Sequence, residues 1–387
     1  MKKVNKYWFA VFLSTIIFSG VYGQRDSLKV NFNGQIVGWT TAQLENPLIV
    51  QPGGRFVPSL TGKINTSDNS FVDFEASLNI NGSVTFEDGN YSESTGQIKP
   101  YRVWARYATD KLELRAGLQK INFGQAKMFR PLMWFDGMDV RDPLQLTDGV
   151  YGVLGKYFFQ NNASLWAWGL IGNKNRKGWE FNATEQWKPE LGGRVELPVA
   201  KGELAISTNF RKVHAINLVS SAWNDYRLLS ESRIGLDGKW DIGPGIWFES
   251  STTITENNSI FIPRFQDMWN VGLDYTLPIG NGVGATLEYL RFHAGEKFFT
   301  DGYTVHIVGA MFNYPISIMD NLSAMLFYVP GQDMLYNYVS WSRTYDKWSI
   351  YGIGFWNPAN AQMLAFQSNS KNLFSGKGLQ IMVSYNF

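Results

Sequence analysis

Residues 71–87 read Phe71-Val72-Asp73-Phe74-Glu75-Ala76-Ser77-Leu78-Asn79-Ile80-Asn81-Gly82-Ser83-Val84-Thr85-Phe86-Glu87. Val72, Phe74, Ala76, Leu78, Ile80, Val84 and Phe86 share one parity, and Asp73, Glu75, Ser77, Asn79, Asn81, Ser83 and Thr85 share the other. A period of two belongs to a strand with one apolar and one polar face, not to a helix. The pattern recurs at Trp269, Val271, Leu273, Tyr275 and Leu277, and again at Leu379, Ile381, Val383, Tyr385 and Phe387.

Working outward from these stretches gives eighteen candidate strands, from 28–40 at one end to 376–387 at the other; merging two of them into their neighbours would give sixteen. Tight connections fall at Thr109-Asp110, Gln160-Asn161, Lys201-Gly202, Gly243-Pro244, Asn281-Gly282 and Asp346-Lys347, several with the Gly, Asn or Asp that a hairpin turn needs for positive φ. Longer ones are expected near 88–97, 124–148, 174–189, 214–227, 257–267 and 358–375. Short turns on one side and longer loops on the other describe a membrane barrel with both chain ends on the short-turn side, the periplasmic one.

Composition argues the same way. The 387 residues include 60 aromatics, 16% of the chain, against 18% charged residues, a load that fits two interfacial girdles better than a soluble domain. Beyond the first two dozen residues no apolar run is long enough for a membrane helix. In hydrocarbon every peptide group must be paired inside the protein, so a closed barrel remains. The expected fold is all-β, a transmembrane antiparallel up-and-down barrel. A soluble sandwich would alternate in the same way; the aromatic excess, the even strand number and the unequal connections separate the two.

The N-terminus carries Lys2, Lys3 and Lys6, then an apolar stretch from Trp8 to Phe18, then Ser19-Gly20-Val21-Tyr22-Gly23. That order is a secretory leader. We expect cleavage after Gly23, giving a signal peptide over 1–23 and one barrel domain over 24–387. Formal charge falls from +2 to −1 with the three lysines. Without a basic stripe, nucleic-acid binding is not expected. With no Cys there is neither a lipid anchor at the cleavage site nor a disulfide.

Arg115-Ala116-Gly117-Leu118-Gln119 followed by Asn122-Phe123-Gly124 resembles the Arg-x-Gly-x-Gln strand and following Gly of outer-membrane porins of the alginate-export and phosphate-selective type. The resemblance runs from Ile98 through Tyr157. It implies an outer-membrane β-barrel channel of Gram-negative bacteria. The terminal strand ending on Phe387 is similar to the assembly signal of such proteins, which implies recognition by the barrel-assembly machinery. The expected partners are outer-membrane lipid and a small hydrophilic solute.

Alternation assigns the lumen lining. Tyr101, Val103, Ala105 and Tyr107 face out and Arg102, Trp104 and Arg106 face in; Leu112, Leu114, Ala116 and Leu118 face out and Glu113, Arg115 and Gln119 face in. Lys156, Arg194, Glu196, Arg211, Glu231, Arg233, Asp274 and Glu288 also point inward. The segment 124–148 mixes Arg130, Asp136, Asp139, Arg141 and Asp142 with Met133, Trp134 and Phe135, too apolar for a free loop. It either enters the lumen and narrows it against Arg102, Arg106 and Arg115, or packs on the rim as a lid. Mixed signs along the wall fit opposed acidic and basic faces, or simple pairing between neighbouring strands.

Enzyme chemistry has little to draw on. His214, His293 and His306 show no spacing that predicts a catalytic pair, and no metal-ligand or phosphate-loop pattern occurs, so neither catalysis nor a metal or cofactor is expected. An energy-coupled receptor requires a plug domain ahead of a barrel of 22 strands, for which the sequence has no room. The expected function is a porin passing small hydrophilic solutes, saccharides and anions among the candidates. The alternative is a barrel scaffold or export component of a surface polysaccharide or secretion complex.

Overall fold

The computed structural model describes residues 28–216, 226–256, 263–358 and 374–387. The leader expected over 1–23 and most of the 358–375 connection lie outside them. Every regular element among the described residues is a strand: β1 (Lys29–Gln43), β2 (Ile49–Ser67), β3 (Ser70–Glu87), β4 (Asn90–Thr109), β5 (Leu112–Gln119), β6 (Val150–Phe158), β7 (Ser164–Leu170), β8 (Ala183–Thr184), β9 (Glu190–Val199), β10 (Gly202–Ile216), β11 (Tyr226–Asp241), β12 (Gly245–Thr255), β13 (Phe265–Leu277), β14 (Val283–Gly295), β15 (Gly302–Pro315), β16 (Asp320–Val329), β17 (Met334–Thr344), β18 (Trp348–Trp356) and β19 (Lys377–Asn386). The two-residue β8 is a bridge on β10, so the wall is an antiparallel barrel of 18 strands. β7 pairs directly with β9.

The barrel closes between β1 and β19, in register from Gln35↔Asn386 to Gln43↔Gly378. Phe387 exchanges both backbone hydrogen bonds with Gly34, at 3.1 and 3.2 Å, and its ring packs against Phe32 and Phe56. Closure satisfies the two edges that an open sheet would leave bare.

Turns at 68–69, 110–111, 200–201, 242–244 and 345–347 share one end of the barrel with residue 28 and Phe387, whereas 120–149 and 171–189 leave from the other end. The outward parity forms an apolar belt: Leu60, Val103, Leu114, Val153, Leu165, Val195, Ile206, Leu236, Leu273, Leu287, Leu326 and Ile381 are all exposed. A soluble sheet would bury this face; a barrel turns it to lipid.

Two local expectations change. The stretch 88–97 is not a loop: Asp88 and Gly89, with φ of 48° and 81°, turn β3 tightly into β4, and Asn90 onward is strand. Alternation fails there because both faces of this part of β4 meet solvent, so neither needs to be apolar. The parity of β4 also shifts. Leu78 faces Pro100 and Ser77 faces Arg102, leaving Tyr101 as an extra residue in a bulge. Without it Arg102 would share the outward parity of the exposed Ile98. His214, expected to begin a loop, instead lies within β10 and pairs with Glu185.

Candidate pore constriction

β5 ends at Gln119 and β6 begins at Val150, both short of the heights reached by neighbouring β4. The chain between them turns into the barrel. Its apolar residues explain why: Phe129, Leu132, Met133, Trp134 and Phe135 are almost wholly buried. Ile121, Phe123, Leu132, Trp134 and Phe135 pack on Val150, Leu154, Trp168 and Leu170 of β6 and β7. Met128, Phe129 and Met133 pack on the inward faces of β13 to β18 through Met268, Leu290, Ile307, Phe327 and Tyr338. The segment therefore crosses the interior between two walls.

Two wall glycines make room for it. A Cβ at Gly235 would sit 2.2 Å from Leu132 Cδ2, and one at Gly309 would sit 2.9 Å from the Phe129 ring. Two wall carboxylates hold its backbone. Glu249 on β12 accepts N–H bonds from Gln125 and Ala126 (both 2.8 Å) and from Leu132 (2.5 Å). Glu288 on β14 accepts from Lys127 (2.6 Å), Met128 (3.1 Å) and Phe129 (3.0 Å). Trp134 Nε1 donates to Ser251 Oγ at 2.9 Å, Trp179 Nε1 to the Phe129 carbonyl at 2.9 Å, and Tyr338 Oη to the Arg141 carbonyl at 2.6 Å. Lys127 reaches Asp274, and Gln125 reaches Glu203.

The segment's own charges are largely answered within it. Arg130 pairs with Asp136 at 3.1 Å and contacts Asn122; Arg141 grips Asp139 through two bonds of 2.9 and 2.7 Å. Asp142 accepts the Leu144 N–H. Burial pushes the Asp142 carboxyl above the usual range, opposed by that hydrogen bond and by the Arg55 guanidinium. Arg55, on β2, is a residue that strand parity alone does not single out.

The narrowing therefore has a different geometry from the one expected. Arg102 does meet the segment, donating to the Thr147 carbonyl at 2.8 Å. Arg106 and Arg115 do not. They lie farther along their strands toward the short turns, whereas the chain has already left the wall at Gln119 and crossed to β12 through β15. Arg106 forms a bidentate pair with Asp73, 2.9 and 2.6 Å, and Arg115 bonds Glu113 at 2.8 Å. Trp104 donates to Glu75 and carries the Arg115 guanidinium 4.7 Å above its ring. Gln119 is fully buried and bonded to the Arg115 and Gly152 carbonyls, so it fixes the wall rather than facing an open lumen. Lys156 and Lys63 stack on Trp166 and Phe71 at 3.6 and 3.9 Å, and each stands opposite a carboxylate in the strand register, Glu113 and Asp73 respectively.

On β9 to β11 the charges are paired tightly: Arg194 with Asp237 (2.5 Å) and Glu196 (3.2 Å), Arg211 with Glu180 and Glu231 (2.6 Å each), and Arg233 with the same two acids. Glu180 comes from the 171–189 connection, which thus folds inward as well. Sequence reading placed the wall members correctly, but nothing local identified Glu180, Glu249 or Glu288 as the groups that tie the connections down.

No family model and no curated protein matches this chain. Solved structures do. OccK7 (OpdD) of Pseudomonas aeruginosa gives a TM-score of 0.55 at 10% identity, covering 93% of this chain and 99% of that one. OccAB4 of Acinetobacter baumannii gives 0.55 at 11%, covering 94% and 99%. The trimer form of OmpT, an outer membrane protein of Vibrio cholerae, gives 0.51 at 12%, covering 94% and 100%. At such identity the likeness is one of fold: the chain is built as these outer-membrane barrels are, over nearly its whole described length.

Proposed function

We propose that the chain is an outer-membrane channel for passive diffusion of small hydrophilic solutes, with saccharides and anions as the first candidates. The observation that carries this reading is a difference in solvent contact between the wall positions where the segment packs and those of β3 to β5. Where the segment packs, the inward Glu249, Asn270 and Glu288 are 1–2% exposed. On β3 to β5, the side chains of Asp73, Arg106, Glu113 and Arg115 keep 17, 24, 14 and 19% of their surface in contact with solvent. A hydrated path along those strands is what a narrowed channel requires. Its charged lining, Lys63, Arg106, Arg115 and Lys156 against Asp73, Glu75 and Glu113, has a small positive excess that raises local anion concentration.

The exposed apolar belt supports insertion in the outer membrane, with the short turns and both ends of the barrel in the periplasm and the long connections at the cell surface. Phe387, locked to Gly34 at the seam, is the candidate contact of the assembly machinery, and residues 1–23 are the candidate cleaved leader. The apolar filling beside β13 to β18 favours a second reading, in which the barrel is a scaffold of a surface or export complex. Planar-bilayer recording of the purified protein in salt gradients separates them. Unit conductance that rises when 131–142 is deleted supports the channel; a folded protein with no conductance in either form leaves the scaffold.

A further inference from the structure

Six peptide N–H groups of one connection converge on two wall carboxylates. Those of Gln125, Ala126 and Leu132 meet Glu249, and those of Lys127, Met128 and Phe129 meet Glu288. A Cβ at Gly124, whose φ is +96°, would lie 2.5 Å from Glu249 Oε2, so the backbone approaches the carboxylate as closely as a side-chain-free residue permits. Asn270 on β13 donates its amide to Glu288 Oε2 at 3.2 Å, fixing the rotamer from the wall side. These hydrogen bonds determine how far the segment reaches from β12 and β14 toward the solvated wall.

We infer that Glu249 and Glu288 are positioning residues that set the size limit of the passage. The inference rests on the channel reading and goes beyond it by assigning size selection to two inward groups that the segment covers from the solute path. The carboxylates hold the segment against one wall; the width left on the other side is the consequence. Replacing each by Gln keeps the shape but turns an NH2 donor toward N–H groups that need an acceptor. The segment then loses its register on the wall, while Arg106, Arg115, Lys63 and Lys156 stay in place.

The test is liposome swelling with a graded series of neutral sugars, run beside reversal potentials in a salt gradient. Glu249→Gln with Glu288→Gln is expected to admit sugars that the parent excludes, with reversal potential unchanged. The chain has no Cys, so Leu132→Cys with Gly235→Cys adds a single tether between segment and β11; Leu132 Cδ2 lies 2.2 Å from where the Gly235 Cβ would be. Oxidising the tether in the double-Gln background is expected to restore the parental limit, and reduction to lift it again. An unaltered size limit in a folded double variant overturns the inference. If the double variant does not assemble, Glu288→Gln alone is compared in the same way.

Failure of the channel reading is read separately. Met128→Cys, at a site only 2% exposed, is expected to resist a hydrophilic maleimide in the parent and to react in the double-Gln background. Equal protection in both backgrounds overturns the positioning role whether or not any sugar passes.

Discussion

Leu273 and Asp274 are adjacent on β13 and should respond oppositely to substitution. Leu273 is 43% exposed on the outer face, in a transverse row with Ile246, Leu287, Ala310 and Leu326. No member of that row is charged, and Trp269 and Tyr275 flank it along the strand, which places it inside the hydrocarbon belt. Leu273→Arg puts a charge there at a cost of about 2–4 kcal/mol. At 1.4 kcal/mol per factor of ten, the folding equilibrium falls by about 30- to 700-fold. Snorkelling of the guanidinium toward the Tyr275 end moves the result to the lower part of that range. Asp274 faces the lumen and pairs with Lys127, both partly solvated. Asp274→Asn removes one exposed ion pair, worth about 0–1 kcal/mol. Urea titration in lipid vesicles, followed by tryptophan emission, measures both. Equal destabilisation, or a larger effect at Asp274, would refute the inside and outside assignment of β13 and of the strands in register with it.

Arg106→Ala with Arg115→Ala changes the solvated wall from one net positive charge to one net negative, so the reversal potential in a salt gradient should move toward cation preference; no movement in a conducting variant takes these residues out of the solute path. Gly235→Val places methyl groups where Leu132 Cδ2 already lies, and overpacking of this kind costs about 1–3 kcal/mol; thermal unfolding should register it, whereas Gly38→Val, with nothing within 4 Å of its Cβ, should be tolerated. Protease added to intact cells should cut in 171–189, where Trp187 is 71% exposed, and spare the turns at 200–201 and 345–347; the reverse pattern would invert the orientation in the membrane.

How far the sequence was legible follows from where a single physical constraint acts alone. Between lipid and lumen each strand residue has one of two fates, so period two is strict, and Leu273 against Asp274 is readable without a structure. Above the belt the constraint lapses. Asn90-Tyr91-Ser92-Glu93-Ser94-Thr95-Gly96-Gln97 has no alternation because its strand meets solvent on both sides, and it reads as loop although it is sheet. At Tyr101 one inserted residue reverses parity, and alternation taken from Ile98 would have sent Arg102 into lipid. The composition of 124–148 announces that Phe129, Leu132 and Trp134 need shelter, because no exposed loop sustains so many apolar side chains. It does not announce where. Glu249 and Glu288 are more than a hundred residues from the peptide groups they hold, and their partners are backbone N–H groups, which every sequence supplies alike. A carboxylate at an inward position is therefore ambiguous by nature: Asp73 answers the Arg106 guanidinium on the neighbouring strand and Glu113 that of Arg115 two residues along its own, while Glu249 and Glu288 answer a connection arriving across the lumen. The first kind can be guessed from register. The second requires knowing which chain segment the barrel has folded inward, and that is decided by the apolar clusters on β6, β7 and β13 to β18 that the segment completes.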